Sequence, residues 1–160
     1  MPKINFKKTL TNFIVVLSIF LVDRLSKIYI LKIAELERSV DIYTTEYLNF
    51  YLIWNKGIAF GLFSFDRDLA YNLITLVIMV IVIVVFLMII KIEGFRKHSL
   101  LLVLGGALGN LFDRIYYSAV PDFIDFHINN FHWFIFNVAD IFITIGIMCL
   151  IYAEIFSKNN

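Results

Sequence analysis

Apolar residues in this chain fall in long, nearly unbroken runs instead of marking one face of each predicted element. The first runs from about Leu10 to Leu31 and is broken only around Asp23, Arg24 and Lys27. The second, Ala70 to Ile90, contains no charge; the third, Ser99 to Tyr117, ends in the polar stretch Gly109-Asn-Leu-Phe-Asp-Arg114; the fourth runs from about Asn137 to Phe156. Each is close to the roughly 20 residues that carry a helix across hydrocarbon. The pattern predicts an α-helical integral membrane protein with four transmembrane helices, at about 10–31, 70–90, 99–117 and 137–156. They form a single membrane domain over residues 1–160, with outer loops 32–69 and 118–136. The first run resembles a signal peptide, but it continues past Asp23 and Lys27 and no small-residue cleavage site follows, so it is read as a retained span.

The first outer loop carries a second pattern. Tyr47 to Trp54 is aromatic and β-branched and is bounded by Asn55 and Gly57, which predicts a strand. A small β element resting on the outer leaflet is expected there, with Tyr43, Tyr47, Tyr51 and Trp54 at headgroup depth. Gly57 and Gly61 either let the backbone turn or approach a ligand closely, or are plain loop glycines.

Charge orients these elements. Lys3, Lys7 and Lys8 precede the first span, Lys91, Arg96 and Lys97 join the second to the third, and Lys158 follows the fourth. The 118–136 loop has no Lys or Arg, and acids outnumber bases in 32–69. The positive-inside rule then places both termini in the cytoplasm and both loops outside. Hydrophobic residues make up 61% of the 160, and the formal net charge of +1 gives no case for nucleic-acid binding. The single cysteine, Cys149, lies within an apolar run, which excludes a disulfide framework or a thiolate metal site.

Against this apolar background, the carboxylates and amides between Gly105 and Asp140 require a reason, because ionisable groups near hydrocarbon are costly. Gly105 and Gly109 form a small-xxx-small surface for close helix packing, and Gly106, Asn110 and either Asp113 or Arg114 share one helical face. Asp23 and Lys27 stand four apart in the favoured order for a helical ion pair, with Arg24 off that face, snorkelling or pairing elsewhere. Asp113, with Arg114 beside it, is expected in a structural network. Asn137 is a good N-cap for the fourth span, and Asp140 falls in its first turn, where the helix dipole favours negative charge. Asp122, held by Pro121 and flanked by Phe123, lies in the preceding loop. Brought together, Asp122 and Asp140 would share a proton, as two close carboxylates do, and could activate water against a peptide carbonyl.

Other chemistries find little support. Ser26 and Lys27 are adjacent on a helix and point about 100° apart. No His-Glu-x-x-His or Gly-x-Ser-x-Gly motif is present. His98 lies on the cytoplasmic side, and His127 and His132 are read as interfacial loop residues, not metal ligands. An ion path would spread acids through the membrane depth, yet the second span has none; a scaffold would need only the packing glycines.

Asp23 and Lys27, Asn55-Lys-Gly-Ile-Ala-Phe-Gly61, Gly105-Gly-Ala-Leu-Gly-Asn-Leu-Phe-Asp-Arg114, Pro121-Asp-Phe and Phe136-Asn-Val-Ala-Asp140, in this order, resemble the bacterial lipoprotein signal peptidases (signal peptidase II), membrane aspartic peptidases. The resemblance runs nearly end to end. It implies a catalytic dyad at Asp122 and Asp140, with Asn55, Gly57, Asn110, Arg114 and Asn137 lining or supporting the site. Asp23, Lys27 and Asp113 match its structural polar partners. Residues alone leave Asp125, also followed by Phe, as an alternative to Asp122; the resemblance selects Asp122. It further implies no cofactor; no metal is required by the chemistry, and the expected location is the bacterial cytoplasmic membrane with the site near the outer leaflet and the protein as a monomer. The implied substrate is a prolipoprotein cleaved just before a diacylglyceryl cysteine. Two positions depart from the family pattern: Pro121 where Val is common, and Ile58 where a smaller residue is usual.

Overall fold

The computed structural model describes residues 6–38, 41–57, 67–129 and 131–157. Each apolar run is helical: α1 (Phe6–Glu37), α2 (Arg67–Lys91), α3 (Phe95–Tyr117) and α4 (Val138–Ser157). Four strands lie between them, β1 (Asp41–Thr45) and β2 (Leu48–Asn55) before α2, β3 (Val120–Ile128) and β4 (Phe131–Phe136) before α4. Helix α1 runs past both ends of the expected 10–31 segment, and its extra outer turns carry the sheet. Ile58 and Gly61 lie outside the described residues.

Two helical stretches, Tyr71–Lys91 and Val138–Phe156, are long and apolar enough to cross a membrane, and only 17% and 11% of them is buried. A core helix of a soluble protein would bury most of such a surface. Here Leu73, Leu76, Val77, Val80, Ile83 and Phe86 of α2 all face outward, an apolar surface suited to hydrocarbon and not to water. Helices α1 and α3 carry more charge, but Asp23, Arg24, Lys27, Asp113 and Arg114 are all buried among the helices.

Helix α3 is the centre of the bundle. Its Leu100, Leu101, Val103, Leu104 and Leu111 form one core with Val82, Val85 and Ile89 of α2. Its glycines set how near the other two helices come. A Cβ on Gly105 would lie 2.8 Å from the Ile19 side chain, and one on Gly109 2.5 Å from Asp23 Oδ2. A Cβ on Gly106 would overlap the Ala139 carbonyl oxygen. The small-xxx-small surface therefore packs on α1, and Gly106 admits the first turn of α4.

The sheet is antiparallel in the order β1-β2-β3-β4. It therefore draws on both connections between helices, whereas the sequence pattern points to a β element in residues 32–69 and only a loop at 118–136. The second connection is rich in aromatic and β-branched residues from Val120 to Phe136, the same signal that marks Tyr47–Trp54, and β3 completes a sheet that β2 alone would leave with an open edge. Phe123 and Ile124 of β3 and Phe50 and Leu52 of β2 pack against Ile30, Ile33 and Ala34 of α1. At the opposite end of the bundle, Lys8 pairs with Glu93 at 3.7 Å and Arg96 with Glu154 at 3.1 Å. Basic residues thus gather at one end and the sheet at the other.

Substituting Gly106→Ala should destabilise the protein by about 2–4 kcal/mol, because backbone cannot yield as a flexible side chain can. Thermal unfolding in detergent checks this; an unchanged midpoint would mean that α3 and α4 are not packed this closely.

Candidate active site

The site begins with how α4 starts. Asn137 caps the helix reciprocally with Asp140: Asp140 N–H donates to Asn137 Oδ1 at 3.1 Å, and Asn137 N–H donates to Asp140 Oδ2 at 3.1 Å. This is a capping box with Asp in the place of the usual Glu. The cap leaves the side-chain amide of Asn137 free to donate elsewhere, and Nδ2 bonds Asp122 Oδ1 at 2.6 Å. A single asparagine therefore touches both carboxylates. The next unpaired donor of the helix, Ala139 N–H, is taken by Asp23 Oδ1 of α1 at 3.0 Å.

Behind the cap lies a buried polar cluster. Lys27 is fully buried and uses its three donors on Asp23 (2.9 Å), Asn110 Oδ1 (3.1 Å) and Asp113 Oδ2 (2.6 Å). Arg24 pairs with Asp113 at 2.6 Å and with Asp23 at 3.2 Å and lies 4.9 Å from the Phe112 ring centre. Two acids thus face two bases, which is how such groups tolerate burial. Because an ammonium offers only donors, Asn110 must turn its oxygen to Lys27, and its Nδ2 then donates to Asp140 Oδ1 at 2.7 Å.

Two expectations sharpen here. Asp113 does lie in a structural network, but its partners are Lys27 and Arg24 across the bundle and not the adjacent Arg114. Arg24 takes the second of its two expected courses, pairing with Asp113 and Asp23 instead of snorkelling. Its i,i+3 spacing from Lys27 was the available signal, since residues so spaced share a helix face.

The sheet supplies the other half. Asn55, at the end of β2, accepts Gly57 N–H on Oδ1 at 2.6 Å and donates Nδ2 to Asp122 Oδ2 at 2.8 Å. Each Asp122 oxygen therefore receives one amide. Gly57 has φ 75°, which favours glycine, and a Cβ there would lie 2.9 Å from Arg114 Nη1, so the guanidinium would have to shift. Arg114 stacks over Tyr71 at 5.6 Å, and Tyr71 Oη donates to the Arg114 carbonyl at 2.8 Å. A groove of about 410 Å3 opens beside Asp122, lined by Ile53, Trp54, Asn55, Lys56 and Ile135.

Asp122, Asp140, Asn55, Asn110 and Asn137 are thereby joined in one hydrogen-bonded set, with Gly57 and Arg114 at its edge. Asp23, Lys27 and Asp113 lie behind it. Asp125 stands apart: its carboxylate bonds His132 Nδ1 at 2.8 Å and faces a different groove. Burial pushes the Asp122 carboxyl up to about 6, against the opposing pull of the Asn55 and Asn137 amides, and the nearby Asp140 raises it further.

Residues 15–156 match the family described as signal peptidase (SPase) II. The chain is 55% identical over 159 residues to the lipoprotein signal peptidase of Pelagibacter ubique, covering 99% of this chain and 96% of that protein. It is 36% identical to that of Anaplasma phagocytophilum, covering 96% and 97%. Among solved structures, a bacterial membrane enzyme determined in meso at 1.9 Å superposes with a TM-score of 0.68 at 27% identity, over 90% of this chain and 92% of that one. A second, at 2.3 Å, shares the fold with a TM-score of 0.69 at 24% identity, over 92% and 89%.

Two measurements probe the network. Lys27→Met leaves Asp23 and Asp113 with Arg24 alone and should cost about 3–5 kcal/mol in detergent unfolding; an unchanged stability would contradict the ion cluster. For Asp122, the folded protein holds its proton to higher pH than the unfolded chain does. Stability attributable to it is therefore greatest below about pH 4, falls as pH rises to about 6, and is flat above. At about 1.4 kcal/mol per pH unit the loss is at most about 3 kcal/mol, and Asp122→Asn should abolish that slope. A variant whose pH profile parallels the wild type would refute the assignment.

Proposed function

The chain belongs to the signal peptidase II family of aspartic peptidases, and from that premise we infer that Asp122 and Asp140 form its catalytic dyad. The observation that carries this reading is Asn137, whose side-chain amide bonds Asp122 while its backbone N–H bonds Asp140. The family removes signal peptides from prolipoproteins. In the inferred reaction, one carboxylate takes a proton from water as the oxygen attacks the scissile carbonyl. The other protonates the departing amine, and the pair then redistributes the shared proton. Asn55 donates to one Asp122 oxygen and Asn110 to one Asp140 oxygen, while Asn137 binds the other oxygen of each, so both carboxylates are held in fixed orientations.

Arg114 and Gly57 support the substrate side of the site. The groove beside Asp122 is flanked by Trp54 and Ile53, both exposed, which suits an extended peptide arriving from the outer leaflet. All four helices span the bilayer in this reading, as one domain over residues 1–160, with both termini cytoplasmic and the sheet at the outer surface. The arrangement fits the basic end of the bundle and the lipid-facing apolar surfaces of α2 and α4. The substrate is a prolipoprotein cut just before a cysteine already bearing diacylglycerol, whose acyl chains hold the scissile bond at the depth of the dyad. The enzyme acts as a monomer and needs no cofactor.

Asp122→Asn and Asp140→Asn should each reduce cleavage of a lipid-modified prolipoprotein by at least about a hundredfold, with membrane insertion intact. Asp125→Asn should keep most activity. An inactive Asp125→Asn beside an active Asp122→Asn would overturn the assignment; release of the signal peptide on a gel reads the result.

A further inference from the structure

Outside the dyad, one other cluster of buried polar groups lies on the sheet. His127 and His132 face each other as a cross-strand pair on β3 and β4, their rings stacked with centroids 5.1 Å apart. Asp125 lies two residues before His127, and its Oδ2 is 2.8 Å from His132 Nδ1 and 3.8 Å from His127 Nδ1. One ligand atom from each of the three residues falls within 4.8 Å of the others. The sequence pattern suggests interfacial loop histidines here; instead His127 is a strand residue only 7% exposed, and Asp125 is 3% exposed.

Hydrogen bonding leaves this cluster incomplete. Asp125 Oδ1 and His127 Nδ1 are buried and have no partner among the described residues, and neither has Asn49 Oδ1. Asn49 is the cross-strand neighbour of Asp125 on β2, and it lines a groove of about 300 Å3 together with Tyr51, Asp125, His132 and Ile135. Each of these atoms can present a lone pair, His127 through its Nε2–H tautomer. Lone pairs converging without donors are costly, and a cation held by the Asp125 carboxylate and the two imidazoles would offset that cost.

We propose that Asp125, His127 and His132 form a binding site for one divalent transition-metal ion of the zinc class. Two imidazoles and one carboxylate are the ligand set that zinc takes with a fourth position left to water or to a neutral oxygen. Asn49 lines the same groove as Asp125 and His132, and its Oδ1 would accept a hydrogen bond from that water. Ligand atoms around tetrahedral zinc, at about 2.0–2.1 Å from the metal, lie about 3.4 Å apart; the Asp125 spacings of 2.8 and 3.8 Å fall either side of that value, and all three ligand atoms lie within 4.8 Å of one another, so the side chains draw together to bind. Coordination through His132 Nδ1 displaces its hydrogen bond to Asp125 and puts the ring proton on Nε2. That side chain is 57% exposed, so solvent can accept the proton.

The site ties β3 to β4, so a bound ion fastens the hairpin that begins beside Asp122 and ends at the α4 cap. It rests on the hairpin geometry alone, not on the peptidase reading, and the ion stands outside the Asp122–Asp140 set.

The test uses the full chain in detergent, without a polyhistidine tag, stripped with chelator and equilibrated with Zn2+, Co2+ or Mg2+. Wild type should retain one zinc per chain through gel filtration and little Mg2+. Co2+ should give the visible absorption of a four-coordinate site. His132→Ala, exposed enough to spare the fold, and the near-isosteric Asp125→Asn should weaken zinc at least about tenfold, while His98→Ala at the other end of the bundle should not. Monodispersity and thermal unfolding verify that each variant is folded. Less than one zinc per wild-type chain, or uptake unchanged in folded His132→Ala and Asp125→Asn, would overturn the site.

Discussion

A fully buried ammonium, that of Lys27, constrains everything else in this protein. Its three donors go to Asp23 on its own helix and to Asn110 and Asp113 on α3. Removing such a charge from water costs several kcal/mol unless every donor is met and opposite charge lies close. That demand fixes the rotation of α1 against α3. It also explains the tolerance of a membrane-embedded bundle for Asp23, Arg24, Lys27 and Asp113: the four charges neutralise one another inside, and the outward surfaces stay apolar.

The same cluster reaches the carboxylates indirectly. Asn110 is held between Lys27 and Asp140, so the direction of its amide is dictated by the ammonium. Asp23, already bonded to Lys27, caps the first turn of α4 through Ala139 N–H. The close approach this requires is possible only because Gly106 and Gly109 carry no side chain. Structural polarity and site geometry are thus one network, with Asn137 as the link from the helix cap to the sheet.

The sheet contributes what helices could not. Asp122 must face the α4 N-terminus yet stay reachable from the surface, and a strand seated on the outer turns of α1 achieves both. Asn55 and Asn137 hold it from two sides. Burial then raises its carboxyl to about 6, with a smaller push from the nearby Asp140. The adjacent Asp125–His127–His132 cluster belongs to the far half of the same hairpin, and Asp125 lines a different groove from Asp122.

Much of this was legible in the sequence for identifiable reasons. Unbroken apolar runs predicted the four helices because hydrocarbon demands length and composition whatever the neighbours are. Asn137 and Asp140 announced a helix cap, because capping is a local interaction over four residues. The aromatic strand Tyr47–Trp54 is visible by composition, and β3 and β4 carry the same signal within residues 118–136. Only the tertiary structure decided which groups meet. That Arg24 and Lys27, not Arg114, neutralise Asp113 depends on how α1 and α3 rotate. Asp122 and Asp125, three residues apart on β3, point to opposite faces by strand alternation, but only the packed sheet decides which of those faces meets the α4 cap. Long-range contacts of this kind leave no periodicity along the chain, so the carboxylates could be found by reading, while their partners required the fold.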